Sequence, residues 1–267
     1  MISKDGRAVA RGHEVKILRA LHRFGWLRTR DLSALVFQRW ASTTPASGPS
    51  LLPPVATASG LRMAQRTLRR MRMARLVLST QAPDGSVIYA LSEAGARALQ
   101  AIGVRAATGK DQTRSFSTGH FRHRCIANEI AISGILEGFR ASTEREISQG
   151  LWAGGKQGIA GKLPDVFLRS GSHVWWVEVE RSRKNAKDYA RLLAWLDAFR
   201  QDASRQSGSE LLGDKLSWAK AVFICTATFQ AKLSRDLEKA GWDARDVAKY
   251  LNFEKSLYSF MDITFSG

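Results

Sequence analysis

The chain has 267 residues, 44% of them apolar, and a formal charge of +17, so it is long enough for one large or two small cores. No apolar run approaches the roughly 18–20 residues of a membrane-spanning helix, and residues 1–7 lack the hydrophobic stretch of a signal peptide. Cys125 and Cys225 lie far apart in apolar runs, with no His or Cys at ligand spacing, which argues against zinc and for buried thiols in a reduced cytoplasm.

The charge is unevenly placed. Residues 1–117 carry 19 Lys and Arg against 6 Asp and Glu, a net of +13, whereas residues 118–267 carry 22 against 18, a net of +4. Such polarity fits a polyanion, most simply double-stranded DNA, gripped by the N-terminal part. A membrane surface is disfavoured, because no basic amphipathic helix with an exposed aromatic face stands out.

Taken in order, residues 13–24 place Ile17, Leu18, Leu21 and Phe24 on one helical stripe that ends at Gly25. Thr29 is expected to cap a second helix with Leu32, Leu35 and Val36 inward. Residues 41–60 have no charge and four prolines (Pro45, Pro49, Pro53, Pro54), and read as a flexible insertion. The segment 61–75 holds six arginines and no acid. Arg62, Arg66, Arg69 and Arg70 make one basic face with Arg72 nearby, while Met63, Leu68 and Met71 can turn inward. Val77-Leu78-Ser79, a Pro83-Asp84-Gly85 turn and Val87-Ile88-Tyr89 predict a hairpin, and Ser92 caps a further helix. This order resembles the winged helix-turn-helix of bacterial regulators and replication proteins. The resemblance implies that the arginine-rich helix enters the major groove with the hairpin as its wing.

Residues 104–117 read as a linker between a DNA-binding domain (10–103) and a second domain (118–267). A helix is expected from Gly119, with His120 and His123 three apart as candidates for a metal pair that lacks a third ligand. The most informative stretch follows: Lys162-Leu163-Pro164-Asp165-Val166-Phe167-Leu168, a Ser170-Gly171-Ser172 turn, and Trp175-Trp176-Val177-Glu178-Val179-Glu180. Strand alternation puts Trp176, Glu178 and Glu180 on one face, and Asp165 on the partner strand would bring three carboxylates together. Buried acids are costly unless they bind something, which suggests a divalent cation, Mg²⁺ or Mn²⁺. The alternative is a solvated edge strand whose acids pair with the basic 181–184 run. Residues 188–200 predict an amphipathic helix that includes Tyr189, residues 218–225 a buried strand, 229–240 a helix and 257–265 a closing strand. The whole predicts an α/β domain with a mixed central sheet.

The Asp165, Glu178-Val179-Glu180 spacing resembles the PD-(D/E)xK nuclease superfamily, whose core has this element order. It departs from the pattern in carrying Glu180 where that superfamily has Lys, although some of its restriction endonucleases carry Glu-x-Glu and remain active. The resemblance implies a restriction-endonuclease-like fold with Asp165 and Glu178 as metal ligands and Glu129 as an added acid on the first helix, a surface carboxylate being the plainer reading of Glu129. It further implies Glu180 as the group that orients or deprotonates water, and Lys184, favoured over Lys187, as the cation for the developing charge. Tyr189 could be a relaxase-type nucleophile, but its apolar spacing reads as core. With His123, Arg124, Asn128, Glu129 and the trailing Ser182-Arg183-Lys184, the chain resembles the replication-relaxation family of plasmid and mobile-element proteins. That family implies a DNA-nicking protein of replication or mobilisation, with other mobilisation or replication proteins as partners. A DNA-binding regulator with an inactive nuclease-like domain, or a structural adaptor, are the rival readings.

Overall fold

The computed structural model describes residues 5–43, 45, 47–113, 118–180, 185–205, 208–213 and 215–255. It is a mixed α/β protein with two sheets. Of the described residues, 5–41 and 54–132 form one compact unit and 42–53 and 133–255 another. No helix among the described residues is long and apolar enough to cross a membrane.

The first unit begins with α1 (Gly6–Phe24), which buries Ile17, Leu18, Leu21 and Phe24. It stops at Gly25, whose φ of 81° suits a residue without a Cβ and whose N–H returns to Leu21 O at 2.8 Å. Next come β1 (Trp26–Arg28) and α2 (Thr29–Phe37). The expected cap at Thr29 sits one residue earlier, because Asp31 accepts the Arg28 N–H at 2.9 Å and Thr29 is already helical. The arginine-rich helix α3 (Ala58–Met73) is capped by Thr57, whose hydroxyl accepts from Gly60 N at 3.1 Å. It buries Ala64, Thr67, Leu68 and Met71, but Met63, expected inward, is 41% exposed because it falls on the flank of that seam. Strands β2 (Val77–Gln81) and β3 (Val87–Leu91) form the predicted hairpin, and β1 joins β3 to give an antiparallel sheet ordered β1-β3-β2. α4 (Glu93–Gln100) follows, capped by Ser92. Its Gly95 is required by packing, since a Cβ there would lie 2.1 Å from the Leu76 carbonyl oxygen.

Two segments that read as loose carry hydrogen bonds among their described residues. In the expected insertion 41–60, α3 already starts at Ala58, and residues 42–53 belong to the second unit. Leu51 is 3% exposed, Ser133 Oγ donates to Leu52 O at 2.6 Å, and Ser50 N and Oγ both donate to the Glu137 carboxylate. Proline-rich chain cannot make a ladder, so side chains satisfy its backbone instead, Glu137 accepting from Ser50 N and Ser133 donating to Leu52 O. Within the expected linker, Gly109 N and Thr108 Oγ1 both donate to Leu91 O, and Lys110–Thr113 forms a 3-10 turn. Residues 114–117 lie outside the described residues.

The units divide between Ile132 and Ser133, inside α5 (Thr118–Leu136). The second unit continues with β4 (Arg140–Ser142), α6 (Glu144–Ser148), β5 (Val166–Ser170) and β6 (His173–Glu180). Then come α7 (Ala186–Ala203), β7 (Ser217–Cys225), α8 (Ala227–Lys239), α9 (Ala244–Tyr250) and β8 (Leu251–Glu254). The sheet runs β4-β5-β6-β7-β8; its first two pairings are antiparallel and its last two parallel, so it is mixed, as expected. On one face Trp176 stacks on Trp195 of α7 with ring centroids 4.4 Å apart, and Phe199 and Phe223 extend that core. On the other face Gly134 brings α5 so close to Leu168 that a Cβ would sit 2.8 Å from a methyl group. The expected strand 257–265 lies outside the described residues, and β8 is an element that periodicity does not announce.

The Ser50–Glu137 contacts should hold the 47–53 segment. Limited proteolysis of the wild type is expected to spare it, and Glu137→Ala, which strips both hydrogen bonds to a charged acceptor at about 1.5–3 kcal/mol each, should make it an early cleavage site.

Candidate acidic site and basic helix

The acidic site grows from the β5–β6 hairpin. Val166 pairs with Val177, so Asp165, one residue before β5, lies opposite Glu178, and directly opposed residues of antiparallel strands share a face. The strand end is tied twice: Asp165 N donates to Val177 O at 3.0 Å, and Asp165 Oδ2 accepts from Val179 N at 2.7 Å. Two residues back along β6, Trp176 Nε1 donates to Glu178 Oε1 at 2.6 Å, as side chains on one face can. Glu178 and Glu180 are 3% and 4% exposed. Burial, then the Glu178 charge, push the Asp165 carboxyl well above its ordinary pKa, against the Val179 N–H and Lys162. Parallel pairing sets Glu180 beside Cys225, and burial followed by that charge pushes the thiol up to about 12.

The residue that sequence reading passes over is Lys162. Its Nζ donates to Glu178 Oε2 at 2.6 Å, and its side chain is only 17% exposed. A tight turn delivers it: Ile159 N donates to Lys162 O and Lys162 N to Ile159 O, around Ala160 (φ 49°) and Gly161 (φ 74°). A left-handed alanine costs about 1–2 kcal/mol, so the turn is held in place by its surroundings. Gly158 lets the chain close, since a Cβ there would lie 2.2 Å from Lys162 O. The clue in the sequence is the glycine cluster of residues 154–161, which marks a tight turn just before the acid motif.

Glu129 and Tyr189 have partners of their own. Glu129 belongs to the first unit, where Arg28 Nη2 donates to its Oε1 at 2.6 Å and Arg30 Nη2 donates to the same oxygen. Arg28 also donates twice to Asp31 at 2.9 Å. Burial opposes the Arg28 charge, but Asp31, with Cys125 and Glu129, holds its pKa well above the ordinary value. Glu129 is therefore the partner of a buried guanidinium, because a carboxylate 3% exposed must be neutralised locally. Tyr189 is likewise structural: its hydroxyl donates to Asp236 at 2.8 Å, Lys232 Nζ lies 3.3 Å from its ring centroid, and burial followed by Asp236 raises its pKa. Lys187 is exposed on α7, and Lys184 lies outside the described residues. Among the described residues no three His, Cys, Asp or Glu side chains form a group that could hold a metal ion, so the expected convergence of Asp165, Glu178 and Glu180 is not found as such a group, nor is a set built on His120 and His123. Asp165 and Glu178, opposed across the hairpin, are the two carboxylates that could offer hard oxygen ligands to a divalent cation.

On α3, Arg62, Arg66, Arg69, Arg70 and Arg72 are all at least partly exposed. Arg62, Arg66 and Arg69 lie opposite the buried seam, whereas Arg70 Nε donates to Glu14 at 2.7 Å. Beside the helix start, a cavity of about 430 Å³ is lined by Arg28, Arg30, Leu61 and the β2–β3 turn at Asp84 to Val87.

No family model, curated protein or solved structure matches this chain.

The raised pKa of Asp165 has a defined sign. A carboxyl whose folded pKa exceeds its unfolded value contributes its full stability below the unfolded value, and loses it as pH rises through the folded one. Asp165→Asn, which keeps an acceptor for Val179 N, should therefore melt higher than the wild type at pH 8 and match it below about pH 4. Equal melting temperatures across that range would remove the repulsion from the site.

Proposed function

We propose that this chain binds DNA through its first unit and cuts one strand of it with its second, as a metal-dependent endonuclease acting in replication or mobilisation of a plasmid or mobile element. The observation that carries this reading is the placement of Asp165 opposite Glu178 at the end of a hairpin in a mixed sheet, with Glu180 next on the same face. The first unit reads as a winged helix: α1, β1, α2, α3 and the β2–β3 hairpin come in that order, and α3 offers an arginine face without an acid of its own. The second unit reads as restriction-endonuclease-like, and the pair of units suits the replication-relaxation family.

Asp165 and Glu178 would hold Mg²⁺ or Mn²⁺, which when bound supplies a Lewis acid for the phosphodiester and lowers the pKa of coordinated water. Glu180 would orient that water or take its proton. Burial of both glutamates excludes bulk solvent, so each charge acts at greater range than on an open surface. The rival reading, a DNA-binding replication or transcription regulator with an inactive nuclease-like unit, draws on one observation: Glu180 stands where a lysine is expected, while the ammonium of Lys162 sits on Glu178.

Two measurements test the proposal. Arg66→Ala with Arg69→Ala should weaken duplex binding at ~0.1 M salt and reduce the slope of log K against log salt by roughly one for each phosphate no longer neutralised. Supercoiled plasmid should be nicked only with Mg²⁺ or Mn²⁺, and Asp165→Ala and Glu178→Ala should each slow nicking by orders of magnitude while leaving duplex binding intact. Nicking that persists in both variants would sink the site, and a wild type that binds but never nicks would leave the regulator.

A further inference from the structure

Both oxygens of Glu178 are already engaged. Lys162 Nζ is 2.6 Å from Oε2, and Trp176 Nε1 is 2.6 Å from Oε1. The indole donor is fixed, because Trp176 is stacked on Trp195 in the core. The ammonium is held by a different kind of support, a turn built around Gly158, Ala160 and Gly161. A divalent ion coordinates carboxylate oxygen at about 2.0–2.6 Å, so on Oε2 it would confront a positive charge within roughly 4–5 Å in a site of low exposure. Ammonium and metal therefore compete for one carboxylate.

Lys162 also has somewhere else to go. It lines a cavity of about 590 Å³ together with Gly161 and with Asp188, Arg191 and Trp195 of α7. Asp188, which is half-exposed, accepts from Asn185 and lies 3.5 Å from Arg191, so the cavity offers a second carboxylate to a displaced ammonium. The Lys162 stem is flexible, and only its head group needs to move.

We propose that Lys162 is a displaceable counter-ion of the acidic site: it neutralises Glu178 while no divalent cation is present, turns into the adjoining cavity when one binds, and thereby sets the site's affinity for the metal. This inference rests on the reading of Asp165 and Glu178 as metal ligands. It makes Lys162 a positioning residue with an effect of unusual sign. A lysine that merely supports the fold would, on removal, weaken metal binding; a competing counter-ion would, on removal, strengthen it.

The test is Mn²⁺ binding to the full chain, without DNA, followed by the paramagnetic signal of free Mn²⁺. Lys162→Met should tighten the dissociation constant by ~10-fold, the scale set by removal of one buried charge partner, and Lys162→Arg should stay near the wild-type value. A second measurement does not depend on the variants folding: reductive methylation of the wild type, mapped by mass spectrometry, should modify Lys162 slowly alone and faster with saturating Mg²⁺. Unchanged or weaker Mn²⁺ binding in folded Lys162→Met, or Lys162 labelling indifferent to Mg²⁺, overturns the inference. In that case metal binding and nicking that still depend on Asp165 leave the endonuclease reading standing. Absence of Mn²⁺ binding in every form overturns both.

Discussion

The register of one strand pair governs the second unit. With Val166 opposite Val177, the two-residue repeat of β6 sends Trp176, Glu178 and Glu180 to a single face, the face that α7 covers. A slip of one residue would move Trp176 out of its stack with Trp195 and turn both glutamates away from Asp165. The tryptophan core therefore specifies the position of the acids. Burial of aromatic area, worth several kcal/mol, offsets the cost of drawing two carboxylates into a poorly hydrated strand end.

Each of these buried charges is met by a local solution, and the two units solve the problem differently. In the first, Arg28 is enclosed by Asp31 and Glu129, so that β1, α2 and α5 are tied by a network in which every member has a fixed partner. Removing one partner there would leave an uncompensated charge in a dry place. In the second, Asp165 faces Glu178 across the hairpin, and Lys162 engages Glu178 from a tight turn. A closed network fixes a junction, whereas an ammonium on a flexible stem holds its carboxylate through its head group alone. Glu129 and Glu178 are the same residue type in different company, guanidinium groups in one case and an ammonium and an indole in the other.

What the sequence discloses follows from periodicity. The α1 and α3 stripes, the β2–β3 hairpin, the Asp165 hairpin and the mixed sheet all rest on repeats of 3.6 or 2 and on Gly or Ser punctuation, which are local signals. What it withholds is set by distant partners. Residues 47–53 look loose because their acceptor, Glu137, lies far along the chain, and Leu51 is buried with no neighbour to announce it. Met63 is misplaced by its hydrophobicity because Ala64 and Thr67, small and easily overlooked, form the buried seam of α3. Lys162 escapes notice because the nuclease pattern points to lysines after the strand, while the turn that aims it is written in glycines before it.

On the proposed reading, the distribution of charge gives the two units parts in one task. Among the described residues of α3, Arg70 is ion-paired with Glu14, whereas Arg62, Arg66 and Arg69 project from the side opposite the core. An exposed cationic face costs little to maintain in water and gains most when condensed counter-ions leave a polyanion. The acidic site is the reverse, recessed, with Glu178 and Glu180 both buried. A single nucleic-acid strand could not be drawn to Asp165 and Glu178 by electrostatics alone. In that reading it is brought by the arginines and admitted by a metal. On the proposed reading, attraction and chemistry are thus assigned to separate parts of the chain, and the second is silent until both DNA and cation are present.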